Sequence, residues 1–293
     1  MEIRLVLNKK CNLKCSFCHN EGVSDCDKYK FNNLEIIDSL NKLRIDNPKF
    51  DSVHITGGEP TLYKNLNNLI KELNNNSWKL KITTNGGFNL KLIDWSIFKN
   101  VNISVHAINW EDLKSFQKGL DEHYCKKFCN LQKENISILL KDKVDVKINT
   151  IYISTRVLKS VLSYFYDKKI THRILTDLRY PERSFRLIKK VLQDNYVLTQ
   201  INDYKDSSNV EYLYKDIFGK EIIIKSLTKR YLNSLCTKCP KRNTGDCLEG
   251  FYDIRLVKDI NGSVVIKPCL SNQRQYSIEE FVQSNLLKEI KRL

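Results

Sequence analysis

Short apolar runs alternating with amphipathic helical stripes constrain the fold of this chain more than any other feature. Residues 2 to 8 read as a buried strand, and 33 to 45 as a helix with Leu34, Ile37, Leu40 and Leu43 on one face. A strand at 52 to 56 is followed by the stripe Leu66, Leu69, Ile70 and Leu73. The runs 78–83, 101–105, 144–153 and 170–175 are further strands, with Val157, Leu158, Val161, Leu162 and Phe165 as a helical stripe before the last. Strands separated by helices imply βαβ units, right-handed crossovers and a parallel sheet. Such a sheet carries its chemistry at the C-terminal ends of its strands.

The pattern weakens after residue 196, which divides the chain into an expected barrel region, 1–196, and a C-terminal region, 197–293. Within the second, 197–201 and 221–224 are strand candidates around a helix or loop at 207–218. The runs 251–257 and 263–267 form a hairpin with Asn261-Gly262 at its bend. Ile278, Phe281, Val282, Leu286 and Ile290 mark an amphipathic helix over 277–291 that packs onto the barrel.

Cysteine placement points to metal. The chain has ten cysteines, seven of them clustered as Cys11, Cys15, Cys18 and as Cys236, Cys239, Cys247, Cys269. With no secretory leader and an ample supply of core residues, clustering favours metal sites in a reducing compartment over disulfides. The first set, at C-x3-C-x2-C spacing, supplies three ligands, whereas a four-iron cluster has four corners. A closed zinc site needs a fourth ligand, for which Cys26 is better placed than His19, and on spacing alone that alternative stands. The second set can fully ligate zinc or an iron–sulfur cluster. Cys125 and Cys129, four apart on a helix, read as buried small residues.

The formal net charge is +15. Its lysines are scattered and no aromatic-basic nucleic-acid module is visible, so the charge reads as a solvated basic surface, compatible with anionic substrates and not excluding nucleic acid. Neither a leader nor a run of membrane-spanning length is present, which predicts a cytoplasmic protein without a membrane partner.

Four segments follow the cysteine trio in order: Gly57-Gly58-Glu59-Pro60, Thr84-Asn85-Gly86, Ile103-Ser104-Val105-His106 and Lys147-Ile148-Asn149. The ordered set resembles the radical S-adenosylmethionine (SAM) superfamily. That resemblance implies an α/β fold, a partial (β/α)6 barrel with a small Cys-rich C-terminal extension. It also implies a [4Fe-4S] cluster on Cys11, Cys15 and Cys18 with SAM on its fourth iron. Gly57, Gly58, Glu59 and Pro60 would then receive the SAM amino group. Ser104 and Asn149 would lie near its ribose and carboxylate, Thr84 and Asn85 in the next loop, and Phe17 near adenine. His19 and His106 would line substrate space. Without the resemblance, the glycines read as a turn and the Ser, Thr and Asn residues as loop caps.

Lys267-Pro268-Cys269-Leu270 resembles the twitch or SPASM extension that holds an auxiliary [4Fe-4S] cluster, and the arrangement is similar to the GTP cyclase (MoaA) group. Cys18-His19-Asn20-Glu21-Gly22 resembles archaeal members of that group. The chain departs from it in the extra Cys247, in having only Arg242 and Arg255 as nearby arginines, and in ending without a glycine-rich tail. The resemblance thus implies reductive cleavage of SAM to a 5′-deoxyadenosyl radical that takes hydrogen from a peptide or a small, even nucleotide, substrate. Electrons would come from an external donor such as flavodoxin or ferredoxin. GTP cyclisation is one alternative, and a zinc-stabilised nucleic-acid-binding protein another.

Overall fold

The computed structural model describes residues 1–22 and 31–293, so Cys26 lies outside the described residues. The alternation is realised as β1 (Glu2–Val6), α1 (Asn33–Asp46), β2 (Ser52–Thr56), α2 (Leu66–Asn75), β3 (Lys79–Thr84), β4 (Phe98–Ser104), α3 (Trp110–Ser115), α4 (Glu122–Lys141), β5 (Val146–Ile151), α5 (Thr155–Phe165), β6 (Thr171–Leu175) and α6 (Pro181–Leu192). There follow β7 (Val197–Asp203), β8 (Asn209–Lys215), β9 (Glu221–Leu227), α7 (Asn233–Cys236), α8 (Pro240–Asn243), β10 (Ile254–Lys258), β11 (Val264–Lys267), α9 (Ile278–Gln283) and α10 (Asn285–Lys291).

All the strands join one open sheet in the order β11-β10-β1-β2-β3-β4-β5-β6-β9-β8-β7. Strands β1 to β6 are parallel to their neighbours, as the βαβ alternation requires. The residues after 196 extend this sheet at both edges: β10 runs parallel to β1, and β9 runs parallel to β6. Period-two alternation sorts the side chains. Ile3, Leu5, Val53, Ile55, Leu80, Ile82, Val101, Ile103 and Ile148 bury against the helices, whereas the opposite face carries Arg4, His54, Lys81, Asn102, Lys147 and Arg173.

Three expectations need correction. Helix α1 buries Ile36, Leu40 and Leu43, and Leu34 is 66% exposed. Asn32 caps the helix in a capping box with Glu35, which fixes the first turn so that Leu34 faces outward. Residues 207–218 hold strand β8 in place of a helix or loop; Val210 and Tyr214 are buried and β8 pairs along its length with β9. The C-terminal helix is two helices, because Ser284 ends α9 and its hydroxyl accepts from Leu287 N to start α10. Among the described residues, no helix is long and apolar enough to cross a membrane.

The interior also sets an acid limit. His172 on β6 is buried, with Nε2 2.8 Å from Thr150 Oγ1, and burial followed by the Lys220 charge depresses its pKa to about 3. The unfolded chain therefore binds this proton near pH 6.5 and the folded chain only near pH 3. The stability that neutral His172 contributes is full above pH 6.5 and falls as pH drops toward 3, by about 1.4 kcal/mol per pH unit. Urea melts of wild type and His172→Gln between pH 7 and 4 should show the variant with a slope shallower by one proton; equal slopes would refute this.

Candidate functional site

The cysteine loop leaves β1 and is pinned from three sides. Gly58 N donates to Asn8 O and Glu59 N to Lys10 O, each at 2.7 Å, so the loop entry lies against the segment after β2. A Cβ on Gly57 would meet Asn8 O at 2.5 Å, and one on Gly58 would meet Lys10 O at 2.3 Å. These glycines permit backbone to lie on backbone, and Gly57 also adopts φ +148°. On a second side, Ser16 N donates to Phe116 O, Lys14 N to Gln117 Oε1 at 2.6 Å, and Gln117 Nε2 to Cys15 Sγ at 2.9 Å. On the third, Asn85 Nδ2 donates to Asn12 Oδ1 and reaches Cys11 Sγ at 3.7 Å.

Glu59 organises the rim. It has no exposed surface, and its carboxylate accepts from Thr61 N and Oγ1, Thr84 Oγ1 and Asn85 N at 2.6 to 3.1 Å. Burial nonetheless raises its pKa, the hydrogen bonds opposing the shift. Pro60 is buried at the start of the turn that Glu59 caps. The Thr84-Asn85-Gly86 loop is held in turn from α4, where Gln132 Nε2 donates to Asn85 O and to Ser104 O, and Asn135 Nδ2 donates to Gly86 O and Phe88 O.

Ser104 and Asn149 are register partners on β4 and β5, and Asn149 pairs onward with Arg173 on β6. Asn149 stands two residues inside its strand, and its Oδ1 is buried without a hydrogen-bond partner among the described residues. Phe17 packs edge-on to His106 at 5.0 Å and against Phe116 at 5.5 Å. His106 Nδ1 accepts from Ile151 N, and burial lowers its pKa to about 4, so the ring is neutral with its proton on Nε2. Cys125 and Cys129 are buried beneath this cluster with Leu13 and Phe116, which is the packing role their spacing implies. His19 is exposed next to Cys18.

The second set spans α7, the turn after it and the loops flanking the β10–β11 hairpin, and its four cysteines are buried. Burial, and then the charges of Cys269, Cys247 and Cys239, raise the Cys236 thiol to about 11. Cys15 is raised to about 12 by burial, with Cys18 and Cys11 adding to the shift. Among the described residues, no three Cys, His, Asp or Glu side chains are already drawn around one point. The thiols of each set nevertheless lie within reach of one another's charge. Such raised thiols ionise only beside a strong positive centre, which is what a thiolate-ligated metal supplies.

The surroundings of the trio fit an iron–sulfur cluster. Leu13 N, Asn20 N, Asn85 Nδ2 and Gln117 Nε2 all donate to its sulfurs, the interaction that tunes such clusters. Gln117 carries no sequence signal, since it lies 102 residues from Cys15 and reaches it through a single antiparallel bridge. Gln117→Leu should lower the reduction potential of a cluster held here, because a donor to thiolate sulfur favours the reduced state. An EPR-monitored redox titration showing an unchanged midpoint would refute this.

Below the rim, the polar face of the sheet encloses a cavity of about 430 Å³. Arg4, Lys81, Lys99, Lys147, Arg173 and Lys225 line it against four carboxylates. Arg4 Nε and Arg173 Nε are buried without hydrogen-bond partners among the described residues. Burial and then the Arg173 charge lower the Lys147 pKa. The cavity holds more positive charge than its own groups neutralise.

Residues 5–153 match the profile of the Radical SAM superfamily. A probable GTP 3′,8-cyclase of Saccharolobus islandicus (strain L.S.2.15 / Lassen #1) is 32% identical over 124 residues, covering 41% of this chain and 39% of that protein. The chain thus spans about two fifths of the length of the relatives it matches at that identity. The GTP 3′,8-cyclase of Peptoclostridium acidaminophilum is 25% identical over 98% of this chain and 94% of its own length. The crystal structure of Streptococcus suis SuiB superposes with a TM-score of 0.62 at 14% identity, over 98% of this chain and 64% of SuiB, a likeness of fold.

Proposed function

Because this chain belongs to the radical SAM superfamily, we propose that it is an enzyme that cleaves SAM reductively and takes hydrogen from an anionic small molecule held in the cavity beneath the rim. Cys11, Cys15 and Cys18 would hold a [4Fe-4S] cluster, which when bound would supply the electron for reductive cleavage of SAM. The chain's own residues bind and orient. The carbonyls of Gly57 and Gly58 and the Oδ1 of Asn149 offer acceptors to an amino group, with Ser104 beside Asn149 in register. Glu59 serves by fixing Thr84 and Asn85, its oxygens already engaged by protein donors. Phe17 and neutral His106 form an apolar wall that excludes water.

What supports this reading is that the cysteine trio, the glycine segment and the Thr84-Asn85 loop leave the C-terminal ends of β1, β2 and β3 and are tied to one another by hydrogen bonds. Anaerobic reconstitution followed by dithionite and SAM should give a brown protein that releases 5′-deoxyadenosine. Colourless protein holding zinc would end the reading and favour the nucleic-acid alternative.

A second reading, GTP as substrate, is favoured by the cationic cavity and by the names of the relatives. Arg255 does not serve it, and Arg242 is not among the residues lining the cavity. Arg255 is 1% exposed and engaged by Glu21 and Glu249, and Arg242 stacks on Tyr231 at 4.8 Å. Anion recognition therefore falls to Lys147 and Arg173. Lys147→Ala and Arg173→Ala should each weaken GTP binding roughly tenfold or more in equilibrium dialysis while SAM still binds. Undiminished binding would remove the cavity from the proposal, and no binding by wild type would point to another anion.

A further inference from the structure

The two cysteine sets are joined by a buried ionic bridge. Arg255 on β10 donates from Nε to Glu21 Oε2 at 3.0 Å, and from Nη2 to the Glu249 carboxylate at 3.2 and 3.3 Å. Glu21 lies three residues after Cys18 and Glu249 two after Cys247. Glu249 Oε1 also accepts from Leu270 N at 2.9 Å, next to Cys269. At the other end, Glu21 takes Arg4 and the hydroxyl of Thr56, so the bridge is anchored in β1 and β2.

The bridge holds a conformation that local preference opposes. Asn20 and Glu21 both adopt positive φ, 46° and 52°, a region where consecutive non-glycine residues persist only when their surroundings over-determine them. For Glu21 those surroundings are two arginines, one of them delivered by the C-terminal region.

We propose that Arg255, paired with Glu21 and Glu249, makes the two cysteine sites one cooperative unit. Metal at Cys236, Cys239, Cys247 and Cys269 fixes Glu249 and Arg255, and these order residues 15–22, which carry the other site. Arg255 is thus a positioning residue and not a substrate ligand. The proposal rests on the reading of the four C-terminal thiols as a metal site; it is independent of SAM cleavage.

The test uses the full chain carrying Cys11→Ser, Cys15→Ser and Cys18→Ser, so that added metal goes to the C-terminal thiols. With one equivalent of zinc, amides of residues 15–22 should exchange hydrogen roughly fivefold or more slowly than without it, while those of α5 and α6 stay unchanged. Adding Glu249→Gln should leave zinc binding intact and abolish the protection. Zinc bound without slower exchange at 15–22 overturns the coupling. No zinc bound overturns it as well, by removing the C-terminal site, and leaves the superfamily reading untouched. Should the Glu249→Gln chain fail to fold, the comparison with and without zinc still decides, because it leaves the bridge unaltered.

Discussion

Cys15→Ala is expected to reduce release of 5′-deoxyadenosine from SAM to background and to lower the iron content by about four per chain, the content of one four-iron cluster. Cys15 is the middle thiol, and it is the one tied by Gln117 and by the bridge to residues 116–118. Its loss would remove one proposed ligand together with the sulfur that accepts from Gln117. High-performance liquid chromatography of dithionite-driven reactions, with iron assayed in parallel, checks both effects. Cleavage equal to wild type would mean that the trio is not where SAM reacts.

Glu59→Ala should be nearly as severe, through structure instead of ligation. It strands the buried Thr84 Oγ1 and Asn85 N and the half-buried Thr61 N, and hydrogen bonds to a buried carboxylate contribute about 1.5 to 3 kcal/mol each. A stability loss of at least about 3 kcal/mol is expected, together with loss of SAM binding as Asn85 releases Asn12 and Cys11. Glu59→Gln should fall between, since its amide nitrogen faces donors. Denaturant melts and SAM titration of both variants measure this; a Glu59→Ala protein that melts and binds like wild type would show the carboxylate to be dispensable.

Elements with a strong period were legible in advance. The stripe Leu66, Leu69, Ile70, Leu73 is buried as spaced, and the cysteine, glycine and Thr84-Asn85 motifs leave strand ends as the βαβ rule requires. The β8 strand was not legible, because its Asn, Glu and Lys residues obscure the alternation of Val210, Tyr212 and Tyr214, and pairing with β9 decides the outcome. The clamps Gln117, Gln132 and Asn135 were illegible for another reason. A polar side chain on a helix or loop carries no mark of a backbone tens of residues away that it will meet. Arg255 is the sharpest instance: from sequence it is only one of two arginines near the C-terminal cysteines, and its burial between two glutamates appears only once β10 lies beside β1.

That adjacency has a bearing on synthesis. Strand β1 is synthesised well before β10, yet among the described residues it is β10 that covers its outer edge. Until β10 emerges, Glu21 lacks its second arginine and the sheet presents an unpaired edge, the state in which nascent chains aggregate. The cysteine segment therefore attains its final support only after β10, far downstream of it, has been made and released.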